Sequence, residues 1–562
     1  MVAVKTDDRP ILILGAGING AALARELILN DFPVCVVDQG DLAGGTTAWS
    51  SRLIHGGLRY LEYSEFDLVR ESLRERNLLL KLAPQFVRPL RLYVPTSNRF
   101  GGLATSLRKF FHFQRKKPSK RDIDRGLWLI RMGLHFYDAY AQDEVDPEQY
   151  RWLCSYSDAQ IVFPERFVAA LLTDAAEEAQ RRGISFEMFN YHEARLDGRQ
   201  VTIRARDNKT PGEEEASTGP VVREFEPVAI VNATGAWVDL TLKRLKIPSR
   251  RLMGGTKGSH FVTSHQGLRD ALKGQGIYAE AADDRPVFVL PLGKDYTLVG
   301  TTDVRYTGNP GKAIPTDEEL DYLVDTVNHI VPGTPLTRDD IDFHYAGVRP
   351  LPYTDATTTA SITRRHWLER ADHAEVPTYS VIGGKLTTCR SLAEESAHEL
   401  AKVLRPDSPY EAKSIDRPIP GGEDYPSNKA ELEATWEKLA AESCFDPQQI
   451  ESMWLLCGTR VRKFLAQDGQ LSSELLVGTD LPLDFVRWSI RHEWVRRVDD
   501  LVERRLMLLY QPSLSEATLR RLGDLLIEER GISQEEADSQ VQATIDRLRD
   551  HFGKRLTATA IE

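Results

Sequence analysis

The run Gly15-Ala16-Gly17-Ile18-Asn19-Gly20 has the residue types and spacing that let a backbone close around a pyrophosphate. The first glycine permits a tight turn, the second lets phosphate approach the main chain, and the third lets a helix pack closely on a strand. A helix starting there offers unpaired N–H groups and the positive end of its dipole to the phosphates. Asp38 follows at the distance where a carboxylate accepts hydrogen bonds from a ribose 2′-hydroxyl. An acid at that position argues against a 2′-phosphate, and so against NADP. The motif itself does not separate FAD from NAD.

Such a motif works only on a strand–helix–strand scaffold. Residues 11–14 form an apolar run too short for a helix, which predicts a buried parallel strand. A helix is expected over 19–30 and a second buried strand over 34–37, giving a βαβ unit that opens a doubly wound sheet. Charges alternate with leucines at helical spacing over 65–82. Strand-like runs recur at 229–231, 287–290, 297–299 and 379–382. Residues 207–220 are acidic and rich in turn formers, and read as a solvated hairpin tip or an insertion. The sequence from 416 to 428, DRPIPGGEDYPSN, reads as a linker. Beyond it, helices are predicted over 429–441, 482–509 and 515–530, with a last one ending near Phe552.

The chain of 562 residues exceeds what one core holds, roughly 250–300 residues, so two or three domains are expected. Its 41% hydrophobic and 28% charged residues are ordinary for a globular protein, and a net charge of -11 excludes a whole-surface nucleic-acid binder. The five cysteines, Cys35, Cys154, Cys389, Cys444 and Cys457, form no CxxC pair. No metal site is expected, and reduced thiols are the default. The amino terminus shows no apolar signal core, and no run approaches the length of a spanning helix, so membrane contact is expected to be peripheral.

The segment from Thr46 to Leu61, TTAWSSRLIHGGLRYL, closely resembles the FAD-dependent glycerol-3-phosphate dehydrogenases of the aerobic, quinone-linked type. So do Lys257-Gly258-Ser259-His260, Gly300-Thr301-Thr302-Asp303, Gly347-Val348-Arg349-Pro350-Leu351 and Gly383-Gly384-Lys385-Leu386-Thr387-Thr388. The segment 493–505 resembles that family's C-terminal domain. The resemblance runs from about Ile11 to Leu506. It implies an α/β fold: a glutathione-reductase-like, Rossmann-type FAD-binding domain, a D-amino-acid-oxidase-like α+β cap, and an α-helical C-terminal domain. The expected divisions are 1–98, 156–240 and 346–414 for the FAD-binding domain, 99–155 and 241–345 for the cap, 415–428 for a linker, and 429–562 for the helical domain.

The same resemblance implies non-covalent FAD, oxidation of sn-glycerol 3-phosphate to dihydroxyacetone phosphate, and electron delivery to membrane quinone. Residues expected around the cofactor are Gly15, Gly17, Ile18, Asn19, Gly20, Asp38, Thr46, Thr47, Ser51, Arg52, Leu53, His55, Gly57, Ala233, Thr234, Gly235, Gly384, Leu386 and Thr387. A dianionic phosphate needs cations that keep their charge, and arginine serves best, through two parallel hydrogen bonds. The resemblance places Arg349, Arg364 and Lys385 around that phosphate, together with Arg59 and Tyr60. Hydride leaves C2 of the substrate for N5 of the flavin, and the C2 hydroxyl must lose its proton. His260 is the first candidate base and His55 the second, with Arg349 beside them. A positive pocket that lowers the hydroxyl's own pKa, with water as acceptor, is the alternative.

Three departures from the family's pattern stand out. Phe163-Pro164-Glu165 replaces paired acids, and Arg52 stands where lysine is common. The stretch 101–125 resembles an insertion and carries Arg108, Lys109, Phe110, Phe111, Phe113, Arg115, Lys116 and Lys117, a composition suited to an anionic membrane surface. The expected location is therefore cytoplasmic, held peripherally at the inner face of the cell membrane. The expected partners are the phosphate substrate, quinone and that surface, not nucleic acid, with a homodimer left open. An oxygen-using glycerol-3-phosphate oxidase and a non-catalytic flavoprotein scaffold are the alternatives.

Overall fold

The computed structural model describes residues 8–57, 65–96, 152–206, 217–281, 285–354 and 363–557. Arg59, Tyr60 and the basic stretch 101–125 lie outside the described residues.

Strand Ile11–Leu14 is buried throughout and sits inside a six-stranded sheet. The order is Trp367–Arg370, Thr378–Ile382, Ala229–Asn232, Ile11–Leu14, Val34–Val37, Phe186–Phe189, with every pair parallel except the first. Helix Ile18–Leu29 connects two of these strands and buries every residue but Asn19. It is apolar nearly all round because it packs against the sheet and against helices Pro164–Arg182 and Cys389–Leu404.

A nine-stranded sheet forms the cap. Strand Thr256–Thr263 pairs antiparallel with both Tyr296–Gly300 and Phe343–Arg349. The register sets Thr256 opposite Arg349, and His260 between Tyr345 and Gly300. The long strands Val87–Thr96 and Trp152–Ile161 join this sheet beside Gly276–Glu280, and Leu53–Ile54 pairs at its edge. Strand Val87–Thr96, before position 98, and strand Trp152–Ile161, across position 155, thus both run in the cap sheet. A smaller sheet of His192–Asp197, Gln200–Ala205 and Val221–Phe225 is antiparallel throughout, and residues 207–216 of the polar segment expected as a hairpin tip or insertion lie outside the described residues.

Four of the helices after the linker begin on side-chain caps: Asn428 for Lys429–Ala441, Asp446 for Pro447–Cys457, Ser515 for Glu516–Arg530 and Ser533 for Gln534–Asp550. The single helix expected over 482–509 is broken. Leu483–His492 ends, Trp494 adopts a φ of 53°, Val498–Asp500 runs into a π-helical turn at Leu501–Arg505, and Met507 adopts a φ of 55°. Glu493, Asp500, Glu503, Arg504 and Arg505 are all buried. On one regular helix these side chains would point about 100° apart in succession, which would leave buried charges without partners. The breaks re-aim them. Trp454, Phe464, Phe485 and Trp488 share one apolar core with Leu290, Leu298, Phe343 and Tyr345, so the helical domain packs on the cap sheet.

Candidate functional site

Local backbone chemistry builds one end of the site. Gly15 has a φ of 103°, and a Cβ on it would stand 2.7 Å from the Ala233 carbonyl oxygen. A Cβ on Gly20 would lie 1.9 Å from the Gly15 carbonyl oxygen. Both positions therefore demand glycine. Gly17 meets only the Thr47 hydroxyl, at 3.3 Å, and lines an open cavity. The Ile18 N–H donates to that hydroxyl at 3.1 Å. Asp38 accepts from the Ala16 N–H at 2.7 Å and the Gly40 N–H at 2.8 Å. Burial pushes its pKa up, against those two bonds. A carboxylate has about four lone-pair sites, so Asp38 retains acceptor capacity.

The cavity has a volume of about 770 Å³, towards the upper part of the usual range for ligand sites, roughly 300–1,000 Å³. Of the expected cofactor residues, all line it except Gly20, which stands behind Gly15 as a packing residue. Several expected contacts are already committed elsewhere. The Thr46 hydroxyl donates to the Val348 carbonyl at 2.7 Å. Arg52 lines the cavity, but its guanidinium is committed to Glu165 at 2.6 Å and to the Tyr510 hydroxyl. Two of the sequence's departures, Arg52 and Glu165, are thus partners. Gly384 has a φ of 97°, and a Cβ there would lie 2.4 Å from Asn19 Nδ2, so the 383–384 turn meets the start of the first helix. Thr387 Oγ1 accepts the His55 N–H at 3.2 Å.

The cations arrive from three separate elements. Arg349 ends its cap strand and donates to Asp303 at 3.0 Å and the Thr301 hydroxyl at 2.9 Å. Arg364 and Lys385 lie on either side of strand Thr378–Ile382 in sequence, and all three side chains line the same cavity. Burial lowers Lys385 to about 8, Arg364 adds to that, and Glu71 and Glu65 oppose it. Arg364 Nη1 and Asn19 Oδ1 are buried with no hydrogen-bond partner among the described residues. A donor and an acceptor held in that way suit a bound polar group. The glycine cradle, Asp38 and these orphaned atoms together fit a dinucleotide with an anion beside it.

Both histidines line the cavity as well. His260 Nε2 is 2.9 Å from the Ser51 hydroxyl, and its ring stacks on Tyr345 at 5.0 Å. Burial, then Arg349 and Arg52, hold His260 down to about 3. Burial and Lys385 do the same to His55, also to about 3. Each is a neutral imidazole at physiological pH and a weak proton acceptor.

The sequence reading missed one wall of the cavity. Arg497, Asp499, Arg504, Arg547 and His551 of the helical domain line it, as do Tyr191, just before the small sheet, and Glu193 within it. No local motif announces them, since their approach depends on long-range docking. Asp303 was within reach, being the acid of the Gly300–Asp303 motif.

Comparison with known proteins agrees with this architecture. The family model "FAD dependent oxidoreductase" matches residues 10–388. The chain is 32% identical to a glycerol-3-phosphate dehydrogenase of Synechocystis over 95% of each sequence. It is 30% identical to a D-erythritol 1-phosphate dehydrogenase of Brucella abortus, over 88% of this chain and 93% of the relative. The solved glycerol-3-phosphate dehydrogenase of Bacillus halodurans, complexed with FAD, has the same fold, with a TM-score of 0.71 at 21% identity, over 97% of this chain and 95% of that one. The expected fold class is therefore the observed one, and the cofactor is FAD. Among the described residues no helix is long and apolar enough to cross a membrane. A dinucleotide cradle, a cap that carries cations over it and likeness along nearly the whole sequence lead to one conclusion: this chain is an FAD-dependent oxidoreductase and belongs to the glycerol-3-phosphate dehydrogenase family.

Proposed function

We propose that the chain oxidises sn-glycerol 3-phosphate to dihydroxyacetone phosphate and passes the electrons to a membrane quinone. The observation that carries the reading is the convergence of Arg349, Arg364 and Lys385, from three elements, on the cavity that also holds the dinucleotide cradle. When bound, FAD supplies the acceptor for the hydride that leaves C2. The protein's own groups do the rest. Arg349, fixed by Asp303 and Thr301, and Arg364, with a buried unpaired N–H, offer charge-assisted donors to the phosphate. They thereby orient C2 and its hydroxyl. His260, held by Ser51, lies too low in pKa to take a full proton at neutral pH. Its role in this reading is to orient the hydroxyl, while the cationic pocket lowers the hydroxyl's pKa and water receives the proton.

Lys385 gives this reading a pH signature. It is charged below about 8, and the substrate phosphate is dianionic above its second pKa of about 6. The phosphate raises the lysine's pKa, so affinity is lost as pH rises. KM for the phosphate substrate is expected to climb above about pH 8, and Lys385→Arg is expected to flatten that rise. A KM equally flat in the parent enzyme would remove Lys385 from the phosphate site.

The reading is tested by anaerobic titration of the purified holoprotein with sn-glycerol 3-phosphate. Rapid bleaching of the visible flavin absorbance is expected, followed by reoxidation with a quinone analogue faster than with air. Faster reoxidation by air would make the chain an oxidase, and no bleaching would leave the scaffold reading. The same titration with D-erythritol 1-phosphate measures whether the cavity prefers a longer polyol phosphate. The peripheral location at the inner membrane face rests on the basic and aromatic composition of 101–125.

A further inference from the structure

The turn after strand Val34–Val37 carries two acids with different surroundings. Asp38 serves the amides of Ala16 and Gly40 at the edge of the cavity. Asp41, 4% exposed, is held by four side-chain N–H donors. Arg505 gives it two, at 2.7 and 2.8 Å, Arg504 gives one at 2.7 Å, and Asn190 one at 3.0 Å. Neighbouring residues of a regular helix point about 100° apart. Here the π-helical turn Leu501–Arg505 brings two consecutive arginines onto one carboxylate.

The contacts close into a ring. Arg504 also donates to Asp500 at 3.1 Å, and Asp500 accepts the Tyr191 hydroxyl and the amides of Arg496 and Arg497. The Tyr191 N–H donates to the Gly40 carbonyl, and the His192 N–H to the Asp38 carbonyl, each at 2.9 Å. Arg497 lies over the Tyr191 ring at 4.1 Å. Arg497 and Asp499 line the same cavity as Asp38 and Tyr191. An anchor between domains alone would account for the buried charges. It would not account for their closure on the one turn that presents the ribose-binding acid.

We infer that the C-terminal helical domain is a working part of the cofactor site. Arg504 and Arg505 are positioning residues that hold Asp41, and with it the turn 38–41, in the shape that receives the adenosine half of FAD. Arg497 and Asp499 close that end of the cavity. This rests on the reading that the dinucleotide lies against the 15–20 cradle, and the test keeps the two apart.

Apoprotein is prepared from the full chain, and FAD and ADP dissociation constants are measured by flavin fluorescence and by displacement. Arg505→Lys keeps the charge but cannot donate two parallel bonds. It is expected to weaken FAD and ADP in parallel, on the order of ten-fold each, as expected for the loss of one charge-assisted bond. KM for the phosphate substrate, measured with FAD in excess, is expected to move less than about two-fold. Tyr191→Phe removes one hydroxyl and strands no charge, so it carries the test even if Arg505→Lys does not fold. A shift in the same direction, about three-fold, is expected for it. The inference is overturned if apoprotein variants that melt cooperatively bind FAD and ADP as the parent does, because the ring would then serve docking alone. Gly17→Val is the control for the cradle, and unchanged FAD binding in that variant would instead refute the placement of the cofactor.

Discussion

Replacing Arg349 with alanine is expected to lower kcat/KM for the phosphate substrate by about 10² to 10³-fold while FAD stays bound. The guanidinium already gives its Nη hydrogens to Asp303, Thr256, Thr301 and the Thr302 carbonyl, so a phosphate would exchange for neutral partners among these; a charge-assisted hydrogen bond contributes about 1.5–3 kcal/mol, and every 1.4 kcal/mol is a factor of ten. The same change takes from the Asp303 carboxylate the counter-charge that stands 3.0 Å away in the parent, so that it repels the incoming dianion more strongly. Arg349→Lys keeps a charge without the planar fork and is expected to fall between the two. Steady-state kinetics and the flavin absorbance of the purified variant decide the matter. Loss of flavin in proportion to activity would show that Arg349 supports the cofactor rather than the substrate.

The second large effect is on stability. Glu493 and Arg166 form a bidentate pair at 2.6 and 2.7 Å, with side chains 6% and 3% exposed, and join the helical domain to helix Pro164–Arg182. Arg166 also donates to the Leu456 carbonyl at 2.8 Å. Glu493→Ala leaves a buried guanidinium without its counter-charge, which costs about 3–5 kcal/mol. A melting temperature many degrees below the parent is expected. The double change Glu493→Ala with Arg166→Met removes both charges and is expected to regain most of the loss. A single variant as stable as the parent would show that water reaches Arg166.

Acid titration gives an independent check of that pair. Burial alone would raise the Glu493 pKa, but Arg166, and after it Arg505 and Arg460, outweigh burial and hold it below the ordinary range. An acid depressed in the folded state contributes stability above its unfolded pKa, about 4.3, and loses it as pH falls through the folded value. The parent is therefore expected to lose stability below about pH 4 more steeply than the double variant.

The strand–turn–helix of residues 11–37 was legible because its determinants are local. Four apolar residues make the buried strand, glycines at 15 and 20 meet backbone within the same unit or its neighbour strand, and Asp38 ends the next strand. The helices from 429 onward were legible from periodicity and caps, as at Asn428 and Ser515. Residues 482–509 carry the same periodicity, yet the helix breaks, because the partners of Asp500, Arg504 and Arg505 lie in another domain. The pairing of Arg52 with Glu165 was equally hidden: each stood out alone, and only the fold makes them neighbours across 113 positions.

What the sequence determined by itself is therefore what short-range sterics and periodicity dictate: the cradle at 15–20, the acid at 38, the linker, the helical tail and the identity of the cations. The tertiary structure decided which of these groups face one cavity, and that the tail lines part of it. Burial, helped by cations that the fold brings close, lowered His260, His55 and Lys385 from their ordinary pKa values. Desolvation and Coulomb interaction depend on distances between residues far apart in the chain, and those distances exist only once it has folded.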